Sequence, residues 1–185
     1  MIYKFSEFIK FFGENVISGI FVSVILIILT KLLFKNKIET DISIRIIKWI
    51  IIVYSLSSII SILLVLIFQN SELHTFLDRL TGPYWWAYSL MLIMNSIVPL
   101  LLLIKKTGRA IYFLLFVAFL MNIGWLFESF VIHVTSIHGD AIIENYNPYL
   151  PSPREVTILI KGFLTGFIAL LIGNGVKKLS KTGNV

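Results

Sequence analysis

The chain has 185 residues, of which 57% are hydrophobic and only 14% charged, and its mean hydropathy is +0.91. Soluble domains carry about 45–50% apolar and about 25% charged residues, so the composition excludes a water-soluble globule and points to a lipid-embedded one. The lack of cysteine excludes disulfides, thiolate metal sites and iron–sulfur clusters held by the chain itself, and three histidines leave little scope for a bis-histidine haem.

Residues 1–12 set Phe5, Phe8, Ile9, Phe11 and Phe12 among Lys4, Glu7 and Lys10. That mixture suits a short interfacial segment on the outer leaflet, and equally a helical extension of the first span. Five apolar runs follow, each near the 20 residues needed to cross a hydrocarbon core of about 30 Å. They run from Asn15 to Phe34, Ile46 to Phe68, Tyr84 to Ile104, Ala110 to Val134 and Val156 to Val176. None shows the period-2 alternation of barrel strands, so the expected elements are helices. The first is too long, and too charged beyond its far end, for a cleaved secretory signal, and reads as a retained span.

The connections alternate in charge. The first loop carries Lys31, Lys35, Lys37, Arg45 and Lys48 against Glu39 and Asp41, the 105–109 turn is basic without an acid, and the tail 177–185 adds Lys177, Lys178 and Lys181. The second and fourth loops hold Glu72, Asp78, Asp140, Glu144 and Glu155 against Arg79 and Arg154. Lysine and arginine excess marks the cytoplasmic side. The expected fold is therefore an all-α integral membrane protein of five transmembrane helices in one bundle, residues 1–185. Its N-terminus is expected outside and its C-terminus in the cytoplasm. The net charge of +6 and pI near 9.6 follow from that topology and imply no nucleic-acid partner.

Along the spans, Thr81-Gly82-Pro83-Tyr84-Trp85-Trp86-Ala87-Tyr88 places a proline in a first helical turn and aromatic rings at headgroup depth. Tyr84, Trp85 and Trp86 read first as anchors and packing residues. Asn95 and Pro99 stand four apart in span three, and proline cannot donate to the Asn95 carbonyl. That carbonyl needs another partner, and the Asn95 amide or Ser96 hydroxyl is placed to bond a neighbouring helix. A kink with a structural contact is weighed there against a substrate site.

Span four carries a polar stripe of Asn122, Trp125, Ser129, His133 and Ser136 at spacings of three and four. Glu128 lies to one side of it, about 7–8 Å below the outer helix end. A carboxyl group at that depth must be protonated, paired or wetted by a cavity. An ionised one would need Arg79, Arg154, Lys161 or another chain. Intramembrane acids mark functional sites, with a hydrogen-bonded structural Glu as the equal alternative. Span five carries Gly162, Gly166, Ala169 and Gly173 at offsets of four, seven and eleven, a small-residue stripe for close helix approach. His138 and Asp140 read as parts of a solvated loop rather than as metal ligands, and no metal site is expected.

The run from Gly82 to Tyr88, then Asn95 to Pro99, then the Lys-Lys-x-x-Arg turn at 105–109, resembles the NrfD-like (polysulfide-reductase membrane-subunit) family. It is most similar to the quinol-interacting membrane subunits of alternative complex III. Asn122 to Ile132 resembles the family's Asn-Ile-Gly-Met-Trp-Phe-Glu-Arg-Phe-Val-Ile, and Thr135 to Asp140 its Thr-Ser-Leu-His-Arg-Asp. Family members have eight to ten spans in two bundles, and the likeness is to the second. Ser129 and Gly139 stand where the family has arginine.

The resemblance implies an integral subunit or half-subunit of a respiratory redox complex, supporting quinol access or proton movement near Glu128. Asn122, Ser129, His133 and Asn95 would be the other polar intramembrane residues. The chain would bind no redox cofactor itself, with quinone or quinol at a subunit interface, and would pack against other membrane subunits beside iron–sulfur or haem subunits. The alternative is an accessory or scaffolding membrane protein of the same fold without quinol chemistry.

Overall fold

A computed structural model describes residues 2–34, 38–68, 72–82, 85–104, 110–123 and 153–182. Among them the chain is all-helical. The elements are α1 (Ile2–Asn15), a 3-10 turn (Ile17–Gly19), α2 (Ile20–Phe34), α3 (Asp41–Phe68), α4 (Glu72–Thr81) and α5 (Trp85–Ser96). A 3-10 segment (Val98–Leu103), α6 (Ile111–Met121) and α7 (Pro153–Thr182) complete the order.

Four helical runs are long and apolar enough to cross a membrane: Lys4–Phe34, Asp41–Phe68, Trp85–Leu103 and Glu155–Leu179. They coincide with expected spans one, two, three and five. Expected span four is represented by the shorter apolar helix Ile111–Met121, and the remainder of that span lies outside the described residues. The N-terminal segment takes the form of the extension. The Val16 N–H donates to the Phe12 carbonyl at 2.9 Å, and the 3-10 turn carries the helix on into α2 without an intervening loop. The Phe12 ring stacks on Tyr54 of α3 with centroids 6.2 Å apart. One short helix was not anticipated, α4, although Leu73, Phe76, Leu77 and Leu80 repeat at offsets of three, four and seven. Phe76 meets Tyr88 of α5 edge-on at 6.1 Å.

The core is narrow because each long helix commits one stripe to it. Ile17, Ile20, Val24 and Ile27 are spaced three and four apart and all buried, as the 3.6-residue repeat requires of one face. They meet Ile47 and Ile51 of α3, Leu114, Val117 and Ala118 of α6, and Ala169 and Leu170 of α7. The opposite faces carry exposed Leu32, Leu33, Leu63, Ile67, Phe163 and Leu164. Apolar surface on that scale is stable against lipid and not against water.

The closest approach joins the first long helix to the last. A Cβ built on Gly162 would collide with the Gly19 carbonyl oxygen, and one built on Gly19 would collide with the Gly162 backbone. The Ser23 hydroxyl donates across the seam to the Gly162 carbonyl at 2.7 Å. Four residues on, a Cβ on Gly166 would lie 3.1 Å from Ser23 Cα and 2.9 Å from a Leu26 methyl. Since 19, 23 and 26 meet 162 and 166 in ascending order, α2 and α7 run parallel. Gly173 then abuts the Ser43 hydroxyl of α3. The small-residue stripe of α7 thus approaches α2 and α3 of its own chain.

Replacing Gly162 with alanine should therefore lower the melting temperature in detergent, since overpacking costs about 1–3 kcal/mol. Gly175, whose Cβ would meet nothing within 4 Å, is the control. Gly175→Ala should be neutral or stabilising by up to about 1 kcal/mol through helix propensity. Equal effects at the two positions would contradict the seam.

Candidate functional site

Two polar regions stand out against the apolar bundle. The first surrounds the break in span three. Proline has no N–H, so where the helix tightens from α to 3-10 at Ile97 the carbonyl three residues before Pro99 loses its donor. That carbonyl belongs to Ser96. The Leu100 N–H goes to Ile97 at 3.0 Å, and the Ser55 hydroxyl of α3 donates to the Ser96 carbonyl. The Ser58 and Ser96 hydroxyls bond each other at 3.2 Å. Span three is therefore fastened to span two through the Ser96 hydroxyl, as expected, and also through its carbonyl, one residue beyond the Asn95 carbonyl considered from sequence. Asn95 itself holds its amide Oδ1 buried without a hydrogen-bond donor among the described residues. In lipid such an acceptor costs about 1–3 kcal/mol until a donor reaches it.

Asn122 closes α6. Its side chain is buried and its amide donates back to the Ala118 carbonyl at 2.9 Å, while its backbone N–H reaches Phe119 at 3.0 Å. Phe119 packs on Phe21 at 5.7 Å, so the C-terminal end of α6 approaches the start of α2.

The second region gathers the charges at the end where α2 stops, α3 starts and α7 finishes. Lys31 Nζ contacts Asp41 at 2.9 Å, and Lys177 Nζ contacts Glu39 at 2.7 Å. Asn174 Oδ1 accepts the Glu39 backbone N–H at 2.9 Å, tying the connection before α3 to α7. The hydrogen bond from Lys177 holds the Glu39 carboxyl below its ordinary value, against the opposing pull of partial burial and of neighbouring Asp41. At the opposite end, Lys161 Nζ donates to the Glu14 carbonyl at 3.2 Å.

The sequence-derived site residues divide accordingly. Gly162, Gly166, Ala169 and Gly173 lie in the seams of α7, and Ala169 is 2% exposed. Trp85 and Trp86 open α5 with their rings half exposed. Asn95 and Asn122 lie on α5 and at the end of α6. Tyr84, Glu128, Ser129 and His133 lie outside the described residues, as do His138 and Asp140. Among the described residues no three His, Asp or Glu side chains converge on a metal-sized site. Sequence reasoning missed Ser23, Ser55 and Ser58, the hydroxyls that join helices, and the Glu39–Lys177–Asn174 cluster. The Gly19-x-x-x-Ser23 spacing, the counterpart of Gly162-x-x-x-Gly166, was the available signal for the first.

Comparison with protein-family models and with curated proteins finds no match to this chain. The charged end makes its own prediction. Glu39 titrates lower when folded than unfolded, so its pairing stabilises the fold above the ordinary carboxylate pKa of 4.5 and is lost as pH falls through the lower folded value. Glu39→Gln should lower the melting temperature at pH 7, with the gap to the natural chain closing below about pH 4. A gap independent of pH would mean that the pair contributes nothing.

Proposed function

We propose that this chain is an integral membrane subunit, or half-subunit, of a respiratory redox complex in a bacterial inner membrane. It would support quinol access or proton movement near Glu128 without a redox cofactor of its own. The observation that carries the proposal is the buried amide oxygen of Asn95, which has no donor among the described residues. It lies within the Gly82-to-Pro99 segment on which the resemblance to quinol-interacting NrfD-like subunits rests. A quinol hydroxyl, or a donor from an adjoining subunit, is the chemistry that would complete it.

Helix direction supports the five-span reading. Parallel first and last helices need an odd number of crossings between one and the other, as the three of a five-span chain provide. That favours counting the Ile111–Met121 helix as part of a crossing of its own, in keeping with the sequence reading of Glu128 near the acidic-loop side. The lysines and arginine at the shared end of α2, α3 and α7 support a cytoplasmic placing of that end. Glu128 is then the acid through which a proton would pass between quinol and the outer face.

A mild-detergent pull-down with mass spectrometry and haem staining tests the assignment. It should recover a second NrfD-like bundle together with iron–sulfur or multihaem subunits. In that complex Glu128→Gln should assemble normally and lower quinol-dependent turnover roughly ten- to a hundredfold. Recovery of a non-redox assembly would favour the scaffolding alternative, and a Gln variant with full turnover would remove Glu128 from any proton path.

A further inference from the structure

The outer face of α3 near the charged end is hollow. An open groove of about 610 Å³ runs along it, walled by Ile46, Trp49 and Val53 and flanked by Phe12 of α1 and Val176 of α7, with Arg45 toward its charged end. Trp49 and Val53 are 57% and 56% exposed, so the wall faces the surrounding lipid and is not part of the protein core. From Arg45 to Val53 the groove follows α3 for about 12 Å, most of the roughly 15 Å depth of one leaflet's hydrocarbon.

The charge at its mouth is unspent. The two nearby acids are engaged elsewhere, Asp41 by Lys31 at 2.9 Å and Glu39 by Lys177 at 2.7 Å. The Arg45 side chain is exposed and makes only a long 3.4 Å bond from Nε to the Asp41 carbonyl. Its remaining guanidinium N–H groups meet no carboxylate among the described residues. The N-terminal end of the α3 dipole adds positive potential at the same level. A guanidinium forks onto phosphate oxygens with charge-assisted bonds. Trp49, one turn deeper, lies where an indole takes the boundary between headgroups and chains.

We propose that this groove is a binding site for an anionic glycerophospholipid, its phosphate on Arg45 and one acyl chain along Trp49 and Val53. Charge decides between this occupant and a partner helix, since an apolar helix would cover the groove and leave the arginine unmatched. The site is independent of the quinol reading, because it uses no residue of spans three or four.

The test uses the full chain in a non-ionic detergent, with native mass spectrometry and melting curves. The probes are phosphatidylglycerol and phosphatidylcholine of identical chains, with glycerol 3-phosphate as the chainless anion. Phosphatidylglycerol should bind about fivefold more tightly than phosphatidylcholine at low salt, the increment of one basic residue at an anionic surface, and should raise the melting temperature. Arg45→Gln should bring the two lipids level while melting normally without lipid. Val53→Trp, which fills the groove from its lipid-facing side, should weaken both. Glycerol 3-phosphate should compete poorly. A preference that survives Arg45→Gln, binding untouched by Val53→Trp, or full competition by glycerol 3-phosphate would each overturn the site. So would a co-purified polypeptide that cross-links through position 49 and excludes the lipid.

Discussion

Everything in this bundle hangs on the contact between the backbones of Gly19 and Gly162. Helices in lipid gain little from burying apolar surface against each other, because the solvent is as apolar as they are. What holds them is close packing and the hydrogen bonds it permits. With no side chain between residues 19 and 162, the Ser23 hydroxyl can span to the Gly162 carbonyl, linking positions 139 residues apart in sequence. A helix rises about 1.5 Å per residue, so this single point fixes the register of both helices. Gly166 then has to meet Ser23 and Leu26, and Gly173 has to meet Ser43 on α3.

The placement of every polar group follows. At the level of Gly173 the end of α7 is drawn to the start of α3, and Asn174 and Lys177 fall within reach of Glu39. Further along α3, Ser55 and Ser58 face the helix that Pro99 interrupts, Ser55 satisfying the carbonyl that proline orphans and Ser58 bonding the Ser96 hydroxyl. The middle of the bundle is thus joined by hydroxyls, which carry no charge into lipid, while the Lys31–Asp41 and Lys177–Glu39 ion pairs lie at one end. Asn95 departs from this economy. Its amide oxygen is buried beside a contact that satisfies its neighbour, and that is why it carries the functional proposal. The α3 groove lies on the other side of the same helix, where Arg45 looks outward to the bilayer and not inward to the bundle.

Much of this architecture was legible in the residues, within limits set by the kind of signal. Hydropathy located the four long helices because twenty apolar residues in succession need no partner to be recognised. The break at Pro99 and the role of the Ser96 hydroxyl were legible because a missing N–H is a local fact. The stripe at 162, 166, 169 and 173 was legible as a face, but not its mate, since pairing across 139 residues leaves no local trace. Its mates are the chain's own α2 and α3. The Glu39–Lys177 pair was hidden for the same reason, each residue looking like one more loop or tail charge. The helix α4 was legible in its apolar spacing and was passed over because an acidic loop between spans was expected there. The polar stripe around Glu128 stays a reading of sequence, as those residues lie outside the described ones.

The central claim is that the first and last long helices pair in parallel through Gly19, Ser23 and Gly162. Because the chain has no cysteine, spin labels can be placed in pairs without background. Leu33, Leu179 and Val156 are exposed and leave the seam intact. The 33–179 pair lies near one end of both helices, whereas 33 and 156 are separated along the axis by about 30 Å. Double electron–electron resonance should give the shorter distance for 33–179. A shorter distance for 33–156 would mean antiparallel helices and would contradict the account.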